Sequence, residues 1–182
     1  MYSFDQQTPG LSTESWLYQV LIYLGQGMQC VLVTIVETKG STPRNVGAQM
    51  IVTADGIWQT IGGGALEFDL MSRANVMLTS SGSGAWGRDL IKVTLGPDMG
   101  QCCGGSLSLL LEKFGPTEET ILKVIAAAAN ADTKLAHPFV DSIPLRVAKR
   151  VEKSNRSLVI LPVDRRQVPL FIYGAGHVAR AV

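Results

Sequence analysis

The pattern of apolar and polar positions divides the chain into short elements. STESWLYQVLIYLGQG, from Ser12, predicts a helix: Trp16, Val20 and Leu24 recur at helical spacing, Ser12 or Thr13 can cap it, and Gly25 and Gly27 stop it. CVLVTIVET, from Cys30, is an apolar, β-branched run that predicts a buried strand. KGSTPRNVG then reads as a loop, because Gly40 and Pro43 break any periodicity. AQMIVTADG and IWQTIG predict a hairpin turning at Asp55-Gly56. GGGALEFDLMSRANVMLTSSG predicts a glycine turn feeding a helix whose apolar stripe is Leu66, Leu70, Ala74 and Met77.

After a connection of small residues from Thr79 to Gly87, DLIKVTLG and SLSLLLEKF predict two strands around the turn GPDMGQCCGG. TEETILKVIAAAANA predicts an amphipathic helix with acidic residues at its N-terminus, where the helix dipole favours them. IPLRVAKRVEKSNRSLVILPV reads as a further hairpin, VDRRQVP as a polar joint, and PLFIYGAGHVARAV as a strand, a turn and the start of a helix. Strands joined by short turns mix with strands separated by helices. The expected fold class is therefore α/β, a mixed α+β sheet domain with flanking helices, rather than a bundle or a sandwich.

Composition narrows the function classes. With 46% hydrophobic residues in 182, the chain can bury a sizeable core, and wholesale disorder is not expected. A formal net charge of +1 without a long charged run gives no reason to expect nucleic acid or an anionic membrane as partner. No apolar run approaches the roughly 20 residues needed to span a bilayer. MYSFDQQTPG lacks a basic and apolar leader pattern. Three cysteines, Cys30, Cys102 and Cys103, are an odd number that points to a reducing compartment, so the expected location is cytoplasmic.

Glycine is clustered, at 62–64, 82–87, 96–105 and 174–176, and the clusters carry the candidate chemistry. GAGHVARA fits a dinucleotide fingerprint, with Gly174, Gly176 and Ala179 after an apolar strand and before a helix. The sequence stops at Val182, before the acidic residue expected about 20 positions on. The expectation is thus a domain over 1–166 and, at 167–182, the opening strand and turn of a Rossmann-like domain, with NAD(P) binding by this chain disfavoured. Three other loops each end a predicted strand. GSTPR offers the Ser41 and Thr42 hydroxyls and the Arg44 guanidinium, parts that can hold an oxyanion. Gly62, Gly63 and Gly64 present bare N–H groups at a helix start, with Glu67 placed either in the site or as a reach-back cap. In GQCCGG, adjacent Cα atoms stand about 3.8 Å apart, too close for an unstrained disulfide. With no C-x-x-C, a tetrahedral zinc site is poorly supported. Cys102 or Cys103 could instead contact a soft metal or receive sulfur, while one of them, and Cys30, would serve as small core hydrophobes.

These stretches together carry a resemblance. VLVTIVETKGSTPRNVGAQMIVTADGIWQTIGGGALE resembles the N-terminal signature of the XdhC/CoxI family, accessory factors of xanthine and carbon monoxide dehydrogenases. LGPDMGQCCGG resembles its second signature, and FIYGAGHVARA the opening of the Rossmann domain that completes such proteins. The resemblance implies a chaperone of the molybdenum cofactor (molybdopterin) that protects the cofactor and delivers it to a xanthine dehydrogenase-type apo-molybdoenzyme, without turnover of its own. A cysteine desulfurase and a second copy of the chain are further candidate partners. Carried onto this sequence, the cofactor residues are Gly40, Ser41, Thr42, Arg44, Gly62, Gly63, Gly64, Glu67, Gln101, Cys102, Cys103 and Gly104, with Cys102 and Cys103 as the molybdenum or sulfur contact. Two alternatives stand beside it: an NAD(P)-dependent oxidoreductase built on GAGHVA, and a cofactor-free thiol or sulfur relay built on the cysteine pair.

Overall fold

The computed structural model describes residues 11–62, 64–80, 86–96, 104–130 and 132–163. Five strands form the main sheet: β1 (Cys30–Lys39), β2 (Gln49–Thr53), β3 (Gly56–Trp58), β4 (Arg88–Thr94) and β5 (Ser106–Phe114), in the order β3-β2-β1-β5-β4. Every pairing is antiparallel. Three helices flank it: α1 (Trp16–Gly25), α2 (Ala65–Thr79) and α3 (Pro116–Ala128). A second antiparallel sheet holds β6 (Lys134–Pro138), β7 (Arg146–Val147) and β8 (Leu158–Pro162), ordered β7-β6-β8. The mixed α/β class expected from the pattern is the observed one.

The period of two along a strand sorts the core into two layers. Val31, Val33 and Ile35 of β1 and Leu107, Leu109 and Leu111 of β5 pack under Leu66, Leu70 and Ala74 of α2. Cys30, Leu32 and Phe114 face the other way, onto Trp16, Leu17 and Val20 of α1, Leu122 and Ile125 of α3, and Leu135 of β6. β1 and β5 are buried on both faces, which is why they read as continuous apolar runs rather than alternating ones.

Most elements lie where the pattern puts them, including the hairpin β2–β3 and the helix α2. Two readings need correction. The cap of α1 is Ser15, not Ser12 or Thr13: its hydroxyl accepts from Leu17 N at 3.3 Å and donates to the Val163 carbonyl at 3.1 Å, so the cap is also a buried tie to the end of β8. The expected hairpin over Ile143–Val163 does not form. β7 and β8 do not pair with each other but flank β6 on either side, a strand that the pattern did not reveal.

Candidate functional site

At one end of the main sheet, the GSTPR loop meets Gly62 after β3 and Gly104–Gly105 before β5. β1 runs out at Lys39 into GSTPR, and Lys39 pairs with Ser106, the first residue of β5. Gly105 therefore lies directly beside the loop: a β-carbon there would stand 2.2 Å from the Ser41 carbonyl oxygen and 2.6 Å from that of Lys39. Gly40 faces it, with a φ of +71° that suits glycine and 3.2 Å between its would-be β-carbon and Gly105 Cα. On the other side, a β-carbon on Gly62 would stand 2.8 Å from Pro43 Cβ, and the φ of Gly62 is +131°. Gly105 thus lets the entry to β5 approach the first loop at backbone distance, and Gly62 lets the second loop pack against the Pro43 ring.

Between the GSTPR loop and the segment after β3 lies a cleft of about 540 Å³. Pro43, Arg44 and Asn45 line it from the loop, Ala48 and Gln49 from the start of β2, and Gln59 and Thr60 from the end of β3. Arg44 is exposed and its guanidinium has no hydrogen-bond partner among the described residues. No carboxylate lines the cleft among those residues, so its field favours an anion. The loop closes back on the sheet through Gly47 N to the Ile35 carbonyl at 2.7 Å and Ile35 N to the Ala48 carbonyl at 2.9 Å.

The expected site residues fall into three groups. Gly40, Ser41, Arg44, Gly62 and Gly104 belong to the meeting loops, and Gly64 opens α2 with a φ of +75°. Thr42 and Glu67 are engaged within the protein. The Thr42 hydroxyl donates to the Arg44 carbonyl at 3.1 Å, so its proton shapes the loop while its lone pairs stay open. Glu67 Oε1 accepts from Ile61 N at 2.9 Å and from the Thr60 hydroxyl, and so braces the segment that leads into the glycine turn. Gly63, Gln101, Cys102, Cys103, Gly174, Gly176 and Ala179 lie outside the described residues, as does the whole of 167–182. Cys30 is fully buried on β1, and burial pushes its thiol up to about 12, which makes it the inert core residue expected.

Of the residues lining the cleft, only Arg44 is among the expected site residues; Pro43, Asn45, Ala48, Gln49, Gln59 and Thr60 are not. The sequence reading also passed over a buried charge cluster on the α1 side of the sheet. There Glu112 of β5 accepts from Arg88 Nε at 3.0 Å and from His137 Nδ1 at 2.7 Å. All three side chains are essentially inaccessible. Burial alone would raise the Glu112 carboxyl, but His137 and Arg88 together outweigh it and hold the group below the ordinary carboxylate range. Arg88 also donates to the Val140 and Ile143 carbonyls and lies 5.2 Å from the centroid of Trp86. The cluster locks β4, β5 and β6 together. Among the described residues, no group of three or more His, Cys, Asp or Glu could hold a metal ion.

Fold and loops define a class: a two-sheet α/β domain with an arginine-bearing cleft at one end of its main sheet. Residues 23–88, which span β1, the GSTPR loop, the hairpin, the glycine turn and α2, match the model of the XdhC and CoxI family. Among solved structures it is similar to one described as a xanthine dehydrogenase from Bacillus halodurans, with a TM-score of 0.56 and 20% identity over 91% of this chain. That likeness concerns the fold, and this chain covers 47% of that protein. No curated protein matches the chain. No helix among the described residues is long and apolar enough to cross a membrane.

Proposed function

We propose that this protein is an accessory factor for a xanthine dehydrogenase-type molybdoenzyme, and that it binds the molybdenum cofactor, shields it and hands it to the apo-enzyme. The match of residues 23–88 to the XdhC and CoxI family model supports the association with such an enzyme. The observation that carries the binding role is the cleft between the GSTPR loop and the end of β3, with Arg44 on its wall and no carboxylate among its described lining residues.

The residues present suit the group. It carries a phosphate on its pterin and a molybdenum held by sulfur, and it supplies the redox centre of the enzyme that receives it. Arg44 is the candidate phosphate ligand, because a guanidinium grips an oxyanion with two parallel donors. Ser41 and the backbone N–H groups of Gly40 and the 62–64 turn would add neutral donors, and Thr42 and Glu67 would keep the loops in shape. In this reading Gln101, Cys102, Cys103 and Gly104 would complete the pocket, one thiolate serving as the soft contact. Thiolate chemistry of this kind suits the reducing cytoplasm.

The test is retention. The chain, purified from cells that make the cofactor, is expected to carry about one equivalent of pterin, read as its fluorescent oxidation product after release. Arg44→Ala should cut the retained pterin about tenfold or more, as loss of a charge-assisted pair worth roughly 1.5–3 kcal/mol implies, with unchanged circular dichroism. A wild-type chain that retains no pterin and does not raise the activity of an apo-molybdoenzyme supplied with cofactor would overturn the reading.

A further inference from the structure

Gln59 sits at a φ of 59°, the one non-glycine residue with positive φ among those described. The left-handed region is strained for a residue with a side chain, and glycine would adopt it freely. Glycine is abundant on both sides of this position, at Gly56 and Gly62, yet a long carboxamide stands here. Strain kept at the rim of a cleft points to a side chain that is needed there. Gln59 lines the cleft together with two other carboxamides, Asn45 and Gln49. Gln49 Nε2 donates to Thr34 Oγ1 at 3.5 Å, which orients the amide and leaves its carbonyl oxygen without a partner among the described residues.

A carboxamide offers an acceptor and two donors on one rigid plane, and it carries no charge. That matters beside Arg44. A carboxylate could read an amino and ring N–H pair equally well, but it would repel the anion that the guanidinium attracts. Three neutral amides with one cation suit a ligand whose heterocycle alternates donors and acceptors along one edge and whose substituent is anionic. We propose that Gln59, with Asn45 and Gln49, reads the 2-amino-4-oxo edge of such a heterocycle, and so sets which ring the cleft accepts. The inference rests on the cleft being the cofactor-binding site and names the residues that would select its pterin ring.

The experiment titrates the 182-residue chain with pterin-6-carboxylate, an anionic fluorescent probe, and with its 4-amino counterpart, following fluorescence anisotropy. Wild type is expected to bind the 4-oxo form at least tenfold more tightly, because a site built to hydrogen-bond one edge leaves its polar groups unpaired against another. Gln59→Gly should lose tenfold or more in affinity and most of that preference, while its melting temperature stays level or rises as the left-handed strain is relieved. Gln49→Ala should lose preference in the same direction. If wild type binds both probes alike, or if Gln59→Gly keeps full affinity and preference while Arg44→Ala loses binding, the edge-reading role is wrong and the anion cleft stands. If wild type binds neither probe, the cofactor reading of the cleft fails together with it.

Discussion

At Gly105 a methyl group would meet two carbonyl oxygens, those of Ser41 and Lys39, and both belong to backbone that cannot swing aside. Its neighbour Gly104 has nothing within 4 Å of a would-be β-carbon among the described residues. Two adjacent glycines in one motif therefore have different jobs. Gly105→Ala is expected to destabilise the fold by about 1–3 kcal/mol or more, the range of overpacking, and to push the third loop off the first. Gly104→Ala should be neutral for stability. Urea unfolding of the two variants checks the contrast, and equal midpoints would mean the loops do not approach as described. The glycines were legible in the sequence because a bare backbone announces itself. Asn45, Gln49 and Gln59 were not, since a polar residue beside a turn looks like ordinary solvent-facing surface until tertiary closure puts it on a cleft wall. Thr42 and Glu67 showed the right chemistry for a site, but partner geometry is a contact property, and their hydrogen bonds run to the loops themselves.

Among the elements, β6 explains why the second sheet escaped the pattern. KLAHP has no β-branched residue, and Leu135, Ala136, His137 and Pro138 are all buried, so alternation is absent. Its identity comes from pairing with β8 some 24 residues later and from Glu112 across the sheet interface. By contrast α2, β1 and the β2–β3 hairpin carry their signals locally, in a 3.6-residue stripe, a β-branched run and an Asp-Gly turn. The Glu112 cluster holds β6 in place, and its stability has a definite sign with pH. The folded carboxyl titrates below its ordinary value of 4.5. Its contribution is therefore fully present above about that pH and is lost as pH falls through the folded value. Glu112→Gln leaves Arg88 buried without its counter-charge and should cost about 3 kcal/mol at neutral pH. The gap between wild type and variant should close as the pH is lowered from 4.5, where the wild-type carboxyl also becomes neutral. Urea unfolding followed by tryptophan fluorescence would report it, since Trp16 and Trp86 flank the cluster. A gap that stays constant to pH 2 would contradict the assignment.

Across the whole molecule, the two faces of the main sheet are unequally covered. One bears α1, α3 and the second sheet, stitched by the Glu112 cluster. On the other, among the described residues, the inner stripe of α2 supplies the helical cover, while Phe68 and Val76 stand exposed on its outer side. The helix is pinned at both ends by single side chains. Glu67 grips the Thr60–Ile61 backbone and hydroxyl at its start, and Lys113 Nζ donates to the Met77, Leu78 and Ser80 carbonyls at its end, where a cation also complements the helix dipole. Opening α2 would release Glu67 and with it the glycine turn that abuts Pro43, so the cleft and the helix should open together. A ligand that binds only the closed cleft then stabilises α2 by mass action, about 2.7 kcal/mol at a hundredfold excess over Kd. Hydrogen exchange followed by mass spectrometry, with and without saturating pterin ligand, should show up to about a hundredfold slowing in peptides covering 65–79 and little change in those covering α3. Protection spread evenly over α2 and α3, or confined to the loops with α2 unaffected, would mean that the glycine turn holds its shape without the helix, and that Glu67 is not the link between fold and site.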